Sequence, residues 1–411
     1  MEIKYKLKKE NFFMMLFFLF LPTPIFFIKV IQCFFKDKIE KFDCLLLSLY
    51  MSILGFLVSP LGDLYRHSEK YWNLKNQNFE IFMEVIKSET DYLLNFIIYI
   101  FSKLGISIQY IQLCAIFFCY YSSFIILLEI TKDKNKYLRN VSFLIVFFLI
   151  EFFVISVGIR SGLAAHIFIY ALYQRYIKKN NGISIFLLLL SAIIHFYIFP
   201  LIAIIILSKF INLKIAKRTL IISIIFLFIG EQLIKKIFEN VFLGEALQVK
   251  INAYIYGYWA RDFLKDFSIK YKISLILKNY VYFPIIFYFV VDKNNVKNNI
   301  KKIFFLIVSM TNIFYYFIDV FGRYAYICRI LGVIILIMEV KQQSNMKNYF
   351  LKCLLVLSFI TWISNIYSSK INIINNYQYK LLYKPLPFIL TTDYYNKKWL
   401  ESNVNPDGGV K

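Results

Sequence analysis

Long apolar runs alternate with short polar stretches along the chain, and the runs reach the ~18 residues at which an α-helix crosses a bilayer. Apolar segments fall at 12–35, 42–60, 107–130, 141–158, 159–177, 183–207, 219–237, 273–291, 301–320, 324–340 and 349–367. At ~20 residues each they occupy more than half of the chain. The pattern predicts an all-α, polytopic membrane protein with about 10–12 transmembrane helices. No fixed-period repeat or low-complexity linker divides it, so residues 1–411 read as a single integral membrane domain. The start, Lys4 to Lys9 before an apolar run, resembles a signal peptide. No small-residue cleavage site follows, so it is kept as a membrane segment.

Composition narrows the class. The chain is 59% hydrophobic with 48 Lys+Arg against 25 Asp+Glu, a formal charge of +23. A soluble protein so basic would point to nucleic acid. A mean hydropathy of +0.60 excludes that class, and with it disordered, collagenous and disulfide-scaffold chains. The six cysteines (Cys33, Cys44, Cys114, Cys119, Cys328, Cys353) lack metal-type spacing and read as small core hydrophobes. The abundant Phe and Tyr read as lipid-facing bulk before stacking sites.

The positive charge is distributed, and it sets orientation. Lys132, Lys134, Lys136 and Arg139 form one basic loop, and Arg175, Lys178 and Lys179 the next. Lys209, Lys214, Lys217 and Arg218 form a third, then Lys293, Lys297, Lys301 and Lys302, then Lys341, Lys347 and Lys352. All five belong on the cytoplasmic side. Two long connections, 61–106 and 237–272, fall outside by the alternation, and so does the tail 368–411, which makes it periplasmic. Segment 61–92 carries six acids, and segment 237–270 four charges of each sign. Function usually sits on such loops.

Two stretches strain the alternation. Basic loops flank 183–207 on both sides, and His195 and Pro200 lie near its middle, so it is either a broken, re-entrant helix pair or an odd number of spans that moves one basic loop outside. The N-terminal run is interrupted by Pro22-Thr23-Pro24 and flanked by lysines at both ends, which leaves its side open.

An ionisable side chain in hydrocarbon costs roughly 2.5–3.5 kcal/mol on insertion scales, so each needs a reason. Asp63, in Gly62-Asp63-Leu64-Tyr65-Arg66-His67, is either an acid at the mouth of a polar cavity or part of a helix cap. His67 falls on the solvent side. Asp91 reads equally well as a functional acid and as a cap before an amphipathic stretch lying along the surface. Arg160 faces outward, where its planar fork suits the phosphates of a lipid pyrophosphate; the alternative is a snorkelling arginine. His195, deep in an apolar run, is either a packed histidine or a base for an acceptor hydroxyl. Arg323 is a second outward arginine, and Asp319 four residues earlier could simply pair with it. Arg329 is structural or lines a cavity, Glu151 pairs with a neighbouring helix, and His166 is packing. The absence of a phosphate-cradling glycine loop, metal-ligand cluster or nucleophile elbow argues against a nucleotide-using cytoplasmic site.

Gly62-Asp63-Leu64-Tyr65, Ile159-Arg160 with Ala164, Ala192-Ile193-Ile194-His195 and Gly322-Arg323-Tyr324 occur in this order, with Asp91 in the polar loop between the first two. Together they resemble the EpsG/Wzy group of bacterial polysaccharide polymerases. That group often has Gln after the first arginine, where this chain has Ser161.

The resemblance implies a multi-pass enzyme of the bacterial inner membrane, similar to lipid-dependent (GT-C-like) glycosyltransferases. Such an enzyme joins undecaprenyl-pyrophosphate-linked oligosaccharide repeats into O-antigen, capsule or exopolysaccharide at the outer membrane face, with no cofactor and no metal, by inverting transfer. Its partners would be that lipid-linked oligosaccharide, membrane lipid, a chain-length regulator and a flippase, and no nucleic acid. Arg160 and Arg323 would then bind pyrophosphate. His195 or Asp63 would be the base, and Tyr65, Arg66, Asp91 and Tyr324 would place sugars. Aromatics of the second outer loop (Tyr254, Tyr256, Tyr258, Trp259) could stack on saccharide rings. A lipid-linked oligosaccharide flippase and an O-antigen ligase are the alternatives.

Overall fold

The computed structural model describes residues 9–36, 38–87, 89, 91–239, 245–257, 260, 269–291, 299–340, 345–369, 378–392, 395–406 and 408–411. Lys293, Lys297, Lys341, Tyr258, Trp259 and the lysines before Lys9 lie outside them. Among the described residues the regular structure is helical, apart from an isolated antiparallel bridge between Val404 and Val410.

The helices follow the apolar segments but break them. The first run splits into α1 (Lys9–Phe20) and α2 (Pro22–Phe35), because Pro22 can open a helix but not continue one. Then come α3 (Lys41–Phe56) and three helices of the first long connection, α4 (Asp63–Leu74), α5 (Phe79–Lys87) and α6 (Tyr92–Leu104). After α7 (Gln109–Ile130), run 141–158 divides into α8 (Lys136–Leu149) and α9 (Phe152–Val157), and α10 (Ile159–Tyr176) starts beyond Gly158.

Run 183–207 is interrupted as expected. Helix α11 (Asn181–Ile194) stops at an extended His195, a 3-10 turn covers Phe196–Ile198, and α12 (Phe199–Leu207) restarts with Pro200 in its first turn. Runs 219–237 and 273–291 likewise appear as pairs, α13 (Leu213–Ser223) with α14 (Phe226–Glu239), and α16 (Ile269–Asn279) with α17 (Tyr282–Val291). Between the pairs lie α15 (Glu245–Ile251) and a π turn, Asn252–Tyr256. The remaining helices are α18 (Asn299–Ile313), α19 (Ile318–Glu339), α20 (Asn345–Ser369), α21 (Leu386–Thr391) and α22 (Lys397–Asn403).

Among the described residues three helices are long and apolar enough to cross a membrane unbroken: α7, α19 and the Lys347–Ser368 part of α20. Several of the others are shorter because proline, glycine or a buried polar residue interrupts the apolar run, as at Pro22, Glu151, Gly158 and His195. Helix α19 is the core. It packs with α18, α17, α10, α8 and α7, and its apolar residues belong to the largest buried cluster. Helix α10 lies against α11 and α7. Many large apolar side chains stay exposed on α1, α2 and α11–α14, among them Phe17, Phe186, Phe199 and Phe228, as a lipid-facing surface requires. All six cysteines are free; Cys114 and Cys353 are exposed, against the expectation of six core hydrophobes.

Candidate functional site

Four helix ends and one helix break meet at a single polar cluster. Asp63 opens α4, Asp91 precedes α6, Arg160 is the second residue of α10, His195 fills the break after α11, and Arg323 lies in the second turn of α19. Their side chains form a continuous chain of contacts. Arg160 Nη2 donates to both Asp63 oxygens at 2.9 and 2.8 Å, and its Nη1 donates to Asp91 Oδ2 at 2.5 Å. The other Asp91 oxygen, Oδ1, lies 3.0 Å from His195 Nδ1. His195 Nε2 faces Arg323 Nη1 at 3.3 Å. Arg323 Nη2 then donates to Asp319 Oδ2 at 2.7 Å and to the Tyr254 hydroxyl at 3.2 Å, with its guanidinium 5.0 Å from the centre of that ring.

These partners assign the imidazole tautomer. A guanidinium only donates, so Nε2 is the acceptor and Nδ1–H donates to Asp91. A carboxylate that holds one ring nitrogen leaves the other as an oriented proton acceptor. His195 is 3% exposed and Asp91 1%, so the pair is shielded from water while Arg160 and Asp63 are only partly covered.

Both acids are strongly committed to ionisation. Burial opposes the charge on Asp91, but the His195 hydrogen bond and the nearby Arg160 overcome it and hold its carboxyl at about 2. Burial likewise opposes the charge on Asp63, where the His67 ring and the Arg160 guanidinium hold the carboxyl far below the usual carboxylate range.

Asp91 does not cap its helix. It stands at the N-cap position of α6 without a side-chain cap bond, because both oxygens are spent on Arg160 and His195. Asp319 does pair with Arg323, as its spacing allows, yet Arg323 also reaches His195 and Tyr254. Among the described residues of the aromatic loop, Tyr254 meets the cluster.

Three expected sugar contacts sit elsewhere. Tyr65 packs in an apolar cluster with Leu61, Leu400 and Val404, and Arg66 is exposed. Tyr324 is buried, and its hydroxyl donates to the Tyr197 carbonyl at 3.0 Å. The Tyr197 hydroxyl donates in turn to the Ser161 carbonyl at 2.9 Å. Tyr324 and Tyr197 thus brace the turn after His195 between α19 and α10. The contact at position 161 is made by backbone.

His67 is a correction. It is 5% exposed, not solvent-side, and its Nε2 lies 3.6 Å from Asp63 Oδ2 without a hydrogen-bond partner. The four-residue spacing from Asp63, one face of a helix, was the signal that could have found it.

A second polar network lies six residues further along α10 and α19, at His166 and Arg329. Arg329 pairs with Glu151, which supplies the acid with the partner helix it needs, and stacks near Tyr326. The Tyr326 hydroxyl meets His166 Nε2 at 2.7 Å, and His166 Nδ1 meets Ser123 Oγ at 3.0 Å. His166 is therefore packed and fully satisfied.

The sequence model of the EpsG family matches residues 63–381. The chain belongs to the EpsG family. The match opens at Asp63 and spans every member of the cluster, so the site lies within the part of the chain that EpsG proteins share. Membership points to a membrane protein with a polysaccharide polymerase-type function, which the four short motifs led us to expect. No curated protein and no solved structure matches the chain.

Proposed function

We propose that this EpsG protein is a multi-pass glycosyltransferase of the bacterial inner membrane. It joins undecaprenyl-pyrophosphate-linked oligosaccharide repeats into a surface polysaccharide at the outer face. The observation that carries the reading is the placement of His195 between Asp91 and Arg323. Glycosyl transfer from a pyrophosphate needs a base for the incoming hydroxyl and a cation for the departing phosphate, both within reach of one anomeric carbon. Here an oriented imidazole nitrogen and a guanidinium are 3.3 Å apart.

In this scheme the acceptor hydroxyl takes the place of Arg323 at His195 Nε2, which accepts its proton as the oxygen attacks the anomeric carbon. The bond to the pyrophosphate oxygen breaks and the electron pair leaves with it, so a single displacement inverts that centre. Asp91 stabilises the imidazolium that forms, and Arg323 and Arg160 oppose the charge growing on the leaving group. Of the two bases considered, His195 is the better supported. Both Asp63 oxygens are engaged by Arg160, which suits Asp63 to orienting that guanidinium rather than to accepting a proton. The scheme needs no metal.

Purified protein supplied only with lipid-linked repeat units should produce a ladder of longer chains. A flippase or a ligase would produce none, and a ladder that vanishes with EDTA would refute the metal-free scheme.

A further inference from the structure

The residues after α22 close over the start of α4. Beyond that helix the backbone turns tightly. The Asn405 amide donates to the Gly409 carbonyl at 2.8 Å, and the Gly408 amide donates to the Asn405 carbonyl at 2.9 Å. The Gly408 carbonyl then accepts the Gly62 amide at 2.8 Å. Gly408 has φ +85°, and a Cβ there would lie 2.9 Å from the Gly62 carbonyl oxygen, so this approach admits glycine only.

Gly62 is held from the other side as well. Its φ is +58°, and a Cβ built on it would stand 3.2 Å from Val157 Cγ1, at the end of α9. Gly62 immediately precedes Asp63, and Val157 is three residues before Arg160. The starts of α4 and α10, which carry one ion pair, are therefore registered through a residue clasped between α9 and the C-terminal turn. No side chain caps α4, so the Gly408 carbonyl is what fixes the residue before Asp63.

The turn is anchored independently. Leu400 and Val404 bury with Val58 and Leu61, and the Tyr395 hydroxyl donates to the Leu57 carbonyl at 2.8 Å. The family match ends at residue 381, so the clasp is made by a part of this chain that the match does not cover.

We propose that the turn around Gly408 is a positioning element for the polar cluster: by clasping Gly62 it sets where Asp63 meets Arg160. The inference rests on the reading of that cluster as the active site. Gly408 touches no reacting atom; it acts through Asp63.

The test compares Gly408→Val, which breaks the clasp, with Gly409→Val, at a position where an added Cβ meets nothing within 4 Å. Full-length proteins in membranes are assayed for ladder formation from lipid-linked repeats, and amide hydrogen exchange is read over residues 62–66. We expect Gly408→Val to exchange faster there and to join repeats about tenfold more slowly, with Gly409→Val like the parent in both. On an Asp63→Asn background, Gly408→Val should cost nothing further, because both changes act on one ion pair. Equal exchange in the two valine variants, or additive losses in the cycle, would overturn the proposal. If the parent makes no ladder, the polymerase reading fails, and hydrogen exchange alone decides whether Gly408 holds Asp63.

Discussion

Asp91 precedes His195 by 104 residues, yet its Oδ1 lies 3.0 Å from the imidazole Nδ1, and both side chains are buried. The pairing makes Asp91 the group that decides which ring nitrogen carries the proton. The rest of the cluster is arranged around that choice.

Replacing Asp91 by Asn keeps the shape and removes the charge that favours Nδ1–H. We expect repeat joining to fall by about 10²–10⁴-fold, the usual worth of an oriented base. His195→Ala should fall as far, and the double variant no further, since the two act as a unit. Initial rates from lipid-linked repeats at matched protein levels give the answer; losses that multiply would separate the two residues.

Arg160 serves two carboxylates at once, which an ammonium cannot do with the same fork. Arg160→Lys should therefore lose about 100-fold in rate. Arg160→Ala should also destabilise the protein by about 3–5 kcal/mol, because Asp63 and Asp91 would face each other uncompensated. Adding Asp63→Asn to Arg160→Gln should recover much of the melting temperature in detergent and none of the activity.

The two acids also predict a pH dependence. Asp91 has its carboxyl lowered from 3.8 to about 2, and Asp63 is lowered too. Lowered carboxylates contribute stability that is fully present above the unfolded value and fades as pH falls through the folded one. Melting temperature should thus hold down to about pH 5 and drop between about 4 and 2. Asp91→Asn should show a shallower drop over the same window. Parallel curves for the two proteins would contradict the assignment.

Glu151 and Arg329 form a pair that is 2% and 1% exposed at its side chains. Breaking it from one side strands a buried charge, so Arg329→Met alone should cost about 3–5 kcal/mol. Glu151→Leu combined with Arg329→Met should restore most of that loss, as read by thermal unfolding in detergent. A double variant no better than the single would show that the pair is not the source of the cost.

The site residues were legible one by one, and the reason is the solvent. Arg160, His195 and Arg323 stand out because an ionisable group beside hydrocarbon is expensive. Their partners did not stand out. Asp91 sits before an apolar run exactly where a helix cap belongs, and nothing local tells that its carboxylate crosses to another element. His67 was hidden for the opposite reason: a polar neighbourhood reads as solvent, although its spacing from Asp63 puts both on one helix face. Tyr197 escaped notice because its role is to donate to a backbone carbonyl, which leaves no side-chain signature. The apolar segments mostly reappear as helices, but averaging over a window cannot see where a backbone stops. Hence the breaks at Glu151 and Tyr280 had to come from the folded chain, while Pro22 and Pro200 announced their own.

The two arginines of the cluster are shared among three carboxylates, those of Asp63, Asp91 and Asp319. On the proposed reading, a diphosphate arriving there would have to take the place of carboxylates already in contact, so its docking would be an exchange of anions rather than an addition. The same exchange would disfavour an anionic lipid that cannot displace a resident acid.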